Sequence, residues 1–130
     1  MITVVSRWKL KCGVPPELAD ALKLAAHKYE KAEPGTSLYF VNLAASKPLG
    51  PDLRPARPAC NPVKPEDQSE VVFIEKYPDA DAFAAHVNGP VFSTFRTRYL
   101  KHFLEDPDQP GWPKRETLFL EEQSGFARGV

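Results

Sequence analysis

Several polar side chains of this 130-residue sequence lie on otherwise apolar segments, where they could transfer protons or hold negative charge. His86 is the strongest acid–base candidate, because the unperturbed pKa of imidazole lies near neutrality. Arg96 and Arg98 flank a helical stripe of aromatic residues, where a guanidinium could stabilise a phenolate. Alternative roles stay open for them: a structural hydrogen bond for His86, and a solvated helix face for the arginines. Glu75, next to Lys76, could be a carboxylate base or only a salt-bridge partner. Our hypothesis assigns catalysis to His86 and Arg96.

A second group of residues could form the walls of a site for a flat, apolar molecule. Ser6 is polar on the apolar face of a strand, so it needs a hydrogen-bond partner that a pocket edge would supply. Aromatic side chains with a few polar groups are typical of small-molecule pockets. The predicted substrate-binding residues are Ser6, Trp8, Phe40, Phe73, Phe92, Phe95 and Arg98. For the aromatic residues, a place in the hydrophobic core is the alternative.

Composition argues against several other classes of protein. The 17 basic and 17 acidic side chains balance, so no positive charge excess favours nucleic acid or an anionic membrane. No apolar run approaches the roughly 20 residues of a membrane span, and the first residues are predicted as a strand rather than a signal peptide. We find no nucleophilic triad, phosphate-binding glycine loop or metal-ligand cluster in the sequence. Cys12 and Cys60 match no metal or redox spacing, so we expect a cytoplasmic protein with free thiols and no metal.

The elements that must position these residues follow from hydrophobic periodicity. Alternation predicts strands over residues 2–10, 37–43, 70–77 and 115–122. Helical spacing predicts helices over residues 17–32, in the segment that carries His86, and over 90–103. The order predicts an α+β, ferredoxin-like βαββαβ fold with an antiparallel sheet, in a single domain over residues 1–130 with a patternless tail from about 123.

A long connection over about residues 45–69 holds six of the fourteen prolines. Proline at this density excludes a helix or a central strand. A connection of this length is either functional or flexible, and both interpretations stay open. It could be a partly ordered insertion, or an arm that covers a pocket or embraces a partner subunit, in which case Arg54 and Arg57 would matter.

Two helices on one face of a four-stranded sheet would leave its other face uncovered. The predicted strand over 37–43 has apolar residues on both faces, with Leu38 and Phe40 on one and Tyr39 and Val41 on the other. We therefore expect both faces to be largely buried, one by helices and the other by a second subunit. The prediction is a homodimer.

Three stretches together resemble the antibiotic biosynthesis monooxygenase family of small dimeric α+β barrel proteins. They are the strand–helix start TVVSRWKLKCGVPPELADALKLA, the helix-ending EPGT before SLYFVN, and EKYPDADAFAAHVNGPVF. In that family the third stretch has a Glu and an aromatic residue before a turn, then an Ala-rich helix with a His and a Phe beyond it. The corresponding positions here are Glu75, Tyr77, Ala82, His86 and Phe92. The resemblance covers roughly residues 3–95 apart from the Pro-rich connection.

The resemblance implies a dimeric α/β barrel, but it leaves the activity open because a fold does not fix a function. Members include cofactor-independent oxygenases of anthrone-like polyketide intermediates, quinol oxygenases and haem-degrading proteins. The haem-degrading members carry an Asn on the first strand and an axial His on the second helix. The matching positions here are Ser6 and, at or near it, Arg96, so haem is not expected.

The function that the resemblance implies is a cofactor-independent monooxygenase acting on an aromatic polyketide, anthrone or quinol in secondary metabolism. Deprotonation would leave an electron-rich substrate anion that reacts with molecular oxygen directly, with no cofactor. The protein would bind the flat substrate, take the proton and stabilise the oxyanion. The alternative on the same scaffold is non-oxidative: a cyclase, dehydratase or isomerase, or a small-molecule-binding protein.

Overall fold

The computed structural model describes residues 1–129 and contains a four-stranded antiparallel sheet. Its elements are β1 (Ile2–Lys9), α1 (Pro16–Ala32), β2 (Leu38–Asn42), β3 (Glu70–Tyr77), α2 (Ala80–Val87), α3 (Pro90–Tyr99) and β4 (Arg115–Glu121). The strands lie in the order β2-β3-β1-β4. The predicted ferredoxin-like α+β fold is confirmed. Within the described residues, no helix is both long and apolar enough to cross a membrane.

The predicted element bounds agree with the structure to within one residue, except in the last helix. There the α-helix ends at Tyr99, and a single turn of 3-10 helix over Leu100–His102 continues the chain. Such tightening is common at helix ends. The last residue of the predicted tail, Val130, lies outside the described residues.

Local signals fix where α2 begins and ends, and so where His86 lies. The Asp79 carboxylate accepts a hydrogen bond of 2.9 Å from the backbone N–H of Ala82, which caps the first turn. At the other end, a Cβ on Gly89 would lie 2.9 Å from the carbonyl oxygen of Ala85, so only glycine fits this close approach. Pro90 then begins α3. His86 therefore sits in the last turn of a short helix over the sheet.

Strand alternation divides the sheet into an inner face under the helices and an outer face. The buried inner-face residues of the two central strands are Val4, Ser6, Trp8, Val71, Phe73, Glu75 and Tyr77. On β2, Tyr39 and Val41 are half-buried against this core. On the outer face of β2, Phe40 is 46% exposed because no described element covers it, so the burial of this face by a second subunit stays a prediction.

Two hydrogen bonds hold the ends of the Pro-rich connection together beside the sheet. The backbone N–H of Ala44 donates to Gln68 Oε1 and Gln68 Nε2 donates to the Ala44 carbonyl, both at 3.0 Å. Between these residues the chain is mostly exposed, and its 3-10 turn over Pro65–Asp67 lies against Gly13. Both interpretations of this segment, as a partly ordered insertion and as an arm, stay predictions.

Two glycines in the left-handed region provide a test of the contact with the 3-10 turn. Gly13 has φ +66°, and a Cβ there would lie 2.7 Å from both Glu66 Cα and the Pro65 carbonyl oxygen. Gly111 has φ +84° but only the flexible end of Arg96 nearby, at 3.8 Å. We expect Gly111→Ala to cost about 1 kcal/mol from backbone strain, and Gly13→Ala more than about 2 kcal/mol because the clash adds to it. Urea unfolding measures both, and equal losses would contradict the packing at Gly13.

Candidate active site

A cavity of about 320 Å³ lies between the inner face of the sheet and the helices. Its walls are mostly aromatic, and all four strands contribute to them. The lining residues are Val4, Ser6, Trp8, Tyr29, Tyr39, Phe73, Glu75, Phe83, His86, Val87, Phe92, Phe95, Trp112, Arg115, Thr117 and Phe119. Flat rings packed edge to face in this way suit a planar apolar ligand.

A buried chain of ionisable groups crosses one end of the cavity. His86, whose side chain is 2% exposed, contacts two carboxylates, with Nδ1 2.7 Å from Glu33 Oε1 and Nε2 3.2 Å from Glu75 Oε1. The Tyr77 hydroxyl donates to the same oxygen of Glu75, and the Thr36 hydroxyl donates to Glu33 Oε1 at 2.8 Å. An imidazole between two carboxylates is chemically able to exchange protons with them.

The three ionisable residues of this cluster, Glu33, Glu75 and His86, come from different parts of the fold. Glu33 caps the C-terminus of α1, Glu75 lies on the inner face of β3 beside Phe73, and His86 lies in the last turn of α2. The second oxygen of Glu33, Oε2, is buried with no hydrogen-bond partner among residues 1–129. The Glu33 carboxylate therefore depends on His86 for charge compensation.

Burial sets the protonation behaviour around this centre. It raises the pKa of the Glu75 carboxyl above its usual range, while the His86 charge and the Tyr77 hydrogen bond act in the opposite direction. Burial also raises the pKa of Tyr29, Tyr39 and Tyr77, and the carboxylate of Glu75 adds to the effect on each of them. The phenols around the centre therefore stay neutral hydrogen-bond donors.

Ser6, the polar residue on the inner face of β1, has its hydrogen-bond partners within the cavity wall. Trp8 Nε1 donates to Ser6 Oγ at 3.1 Å, and Ser6 Oγ lies 3.1 Å from Thr117 Oγ1 on β4. The predicted need of Ser6 for a hydrogen bond is met by these two side chains.

The structure brings most of the predicted site residues together. The six that line the cavity are Ser6, Trp8, Phe73, His86, Phe92 and Phe95. Phe40 does not, because alternation places it on the outer face. Arg98 lies instead in a groove of about 460 Å³ between α1 and α3.

Arg96 lies behind the cavity wall rather than in it. Its Nη1 donates to the Gly111 carbonyl at 2.7 Å, and its guanidinium carbon lies 4.3 Å from the centre of the Trp112 ring. Arg115 contacts the same ring at 4.7 Å and lines the cavity. Trp112 thus separates Arg96 from any ligand, and Arg115 is the arginine within reach of one.

Sequence reasoning missed Glu33, Trp112, Arg115 and Thr117, and it left Glu75 as an open choice. A signal existed for Glu75: the alternation that turns Phe73 inward must also turn Glu75 inward. No such signal existed for Glu33, because its contact with His86 spans 53 positions of sequence. Within residues 1–129, no group of three His, Cys, Asp or Glu side chains could hold a metal ion.

Comparisons with known proteins agree with this architecture. The family model described as "Antibiotic biosynthesis monooxygenase" matches residues 1–98. SnoaB, a cofactor-independent oxygenase from Streptomyces nogalater, is 16% identical with TM-score 0.57, over 98% of this chain and 97% of that one. The protein NE2512 of unknown function from Nitrosomonas europaea is 22% identical with TM-score 0.54, over 98% of this chain and 95% of that one. At3g17210 from Arabidopsis thaliana is 16% identical with TM-score 0.56, over 98% and 100%. No curated protein matches the sequence.

The buried tyrosines Tyr29 and Tyr77, together with the half-buried Tyr39, make stability depend on alkaline pH. Because burial raises their pKa values in the folded state, the unfolded chain loses these protons first, and stability falls as pH rises above about 10. Each tyrosine contributes up to about 1.4 kcal/mol per pH unit to this fall. In urea unfolding at several alkaline pH values, we expect Tyr39→Phe to reduce the slope by about one tyrosine's share. The same slope in both proteins would contradict this.

Proposed function

The chain belongs to the antibiotic biosynthesis monooxygenase family, and we propose that it oxygenates an electron-rich aromatic small molecule of the anthrone or hydroquinone type. The observation that carries this proposal is the buried Glu33–His86–Glu75 centre at the end of an aromatic cavity. That combination supplies what a cofactor-independent oxygenation needs: a slot for flat rings and one group that exchanges a proton.

The chemistry balances with molecular oxygen as the co-reactant. The centre around His86 removes a proton from the ring methylene of an anthrone, and the electron pair stays on the substrate as an enolate. Reaction with oxygen converts the methylene to a carbonyl; one oxygen atom enters the product and the other leaves as water. The substrate supplies all four electrons, so the proposed reaction uses no flavin and no metal.

Charge on the substrate anion needs a partner at the opposite wall. Arg115 lines the cavity on β4, next to Thr117. We assign stabilisation of the enolate oxygen to Arg115, since preorganised cations at a developing oxyanion lower its energy. Arg96, on the far side of Trp112, acts by fixing the position of that ring.

The alternative is a non-oxidative reaction, such as isomerisation or cyclisation. The observation that favours it is the same Glu33–His86–Glu75 centre, since a proton transfer there would need no oxygen. Oxygen consumption separates the two functions.

A pair of matched substitutions tests the cavity as the site. With 9-anthrone as substrate, we expect oxygen uptake with one labelled oxygen atom in the anthraquinone product. Val87 lines the cavity and Val91 lies outside it on α3. Val87→Phe should lower kcat/KM on the order of tenfold or more because its ring fills substrate space, whereas Val91→Phe should stay within about twofold. Equal activity in both variants would place the reaction elsewhere.

We further propose that the chain forms a homodimer through the outer face of the sheet. Four apolar residues form a row across all the strands, in register: Phe40, Ile74, Val5 and Leu118. Ion pairs flank the row, with Arg7 on Glu70 at 2.9 Å on one side and Lys76 on Glu122 at 2.6 Å on the other. An apolar centre with a polar rim is the usual anatomy of a subunit interface.

Exposed Cys12 and Cys60, both free thiols, support the proposed cytoplasmic location.

The dimer can be tested with two leucines of similar exposure. Leu118 on the outer face is 59% exposed, and Leu24 on α1 is 53% exposed. Leu118→Glu should convert a dimer to a monomer in sedimentation or light scattering, because it buries an unpaired charge at the interface. Leu24→Glu should leave the mass unchanged. A dimer that survives Leu118→Glu would exclude this face.

A further inference from the structure

We infer that Glu75, rather than His86, accepts the substrate's proton, with His86 as the positive charge beside it and Glu33 as a positioning residue. This inference rests on the proposed function and names the atom at which its proton transfer occurs.

A carboxylate oxygen lies beside each ring nitrogen of His86. Nδ1 lies 2.7 Å from Glu33 and Nε2 lies 3.2 Å from Glu75, and the side chain is only 2% exposed. To accept a proton from the cavity, the ring would have to break one of these contacts inside a buried site, leaving a carboxylate uncompensated. Nδ1 is hydrogen-bonded to Glu33, and a positive charge on the ring would be compensated by both carboxylates.

Glu75 has the free acceptor that His86 lacks. Its Oε1 takes both the Tyr77 hydroxyl and the His86 contact, while none of the hydrogen bonds within residues 1–129 involves Oε2. Glu75 also lines the cavity beside Phe73. A carboxylate fixed through one oxygen, with the other free toward a ligand, is held in the geometry of a general base.

The surroundings of Glu75 match this role. The ionisable groups around it are His86 on α2, Tyr77 on its own strand, Tyr39 on β2, Tyr29 on α1 and Glu33 beyond α1. Burial raises the pKa of the Glu75 carboxyl above its usual range, so Glu75 is a stronger proton acceptor than an exposed glutamate, while a positive charge on His86 acts in the opposite direction.

The step balances without any oxidant. The substrate C–H or O–H bond breaks, a new O–H bond forms at Glu75, and the electron pair stays on the substrate. Before transfer the centre holds Glu33⁻, His86⁺ and Glu75⁻; afterwards Glu75 is neutral and the substrate carries the negative charge. The net charge of the buried site is unchanged, so no charge must be newly desolvated.

Glu33 acts through His86 because it does not line the cavity. Glu33 holds Nδ1 with an oxygen that also accepts from the Thr36 hydroxyl, and this fixes the ring with Nε2 3.2 Å from Glu75. Its replacement should therefore change the pH profile of proton transfer more than the binding of substrate.

The test measures proton transfer without oxygen. Anaerobic 9-anthrone in D2O exchanges its methylene hydrogens, and NMR follows this exchange above the uncatalysed background. We expect the wild type to accelerate it, Glu75→Gln to lose roughly a hundredfold or more, and Glu33→Gln to lose on the order of tenfold with a shifted pH profile. Exposed Glu116 on the outer face provides the matched control, since Glu116→Gln should exchange at the wild-type rate.

The outcomes separate this inference from the proposed function. Exchange without oxygen uptake would reject the oxygenase and keep Glu75 as the base. Exchange in Glu75→Gln within about threefold of wild type, combined with its loss in His86→Gln, would overturn the inference. If Glu75→Gln does not fold, Glu75→Asp takes its place, because it keeps the charge but withdraws it by one methylene. We expect the exchange rate of Glu75→Asp to fall roughly tenfold, and exchange at the wild-type rate would also overturn the inference.

Discussion

The burial of two carboxylates around one imidazole is the constraint on which the rest of this structure depends. A carboxylate under an apolar helix layer is costly unless a cation and hydrogen bonds compensate it, and breaking a buried pair costs about 3–5 kcal/mol. His86 lies within contact distance of both Glu33 and Glu75. This requires α1 to end at Glu33, β3 to turn Glu75 inward and α2 to end just past His86, so three elements are fixed relative to one ring.

Such a centre is a poor way to stabilise a domain. Apolar side chains of similar volume in place of a buried ion pair are often neutral or stabilising, so the pair is weak support for a purely structural role. The remaining inner face is suited to apolar packing, with Trp8 in contact with Phe73, Phe92, Phe95 and Phe103. A charged centre beside this aromatic core, open to a cavity, is better explained by chemistry than by stability.

Local pattern was sufficient for the fold, but only part of the site followed from it. Alternation and helical spacing set the strands and helices, because each element must turn one face to a common core. The same rule placed Ser6, Trp8 and Phe73 in one wall. It could not place Glu33 against His86 or Trp112 between two arginines, since those contacts depend on how loops close in three dimensions. Phe40 lies outside the cavity because strand alternation turns it to the face opposite Tyr39 and Val41.

The two faces of the sheet meet at β4, and this links the cavity to the proposed dimer. β4 is an edge strand, with β1 as its single neighbour in the sheet formed by residues 1–129. Its inner-face residues Arg115 and Phe119 line the cavity, yet Phe119 is 62% exposed, so the mouth of the cavity opens along this edge. Leu118, the residue before Phe119, lies on the outer face and is 59% exposed. A subunit that covers the outer face at Leu118 therefore approaches the cavity mouth, and association would restrict how solvent and substrate reach Glu75 and His86.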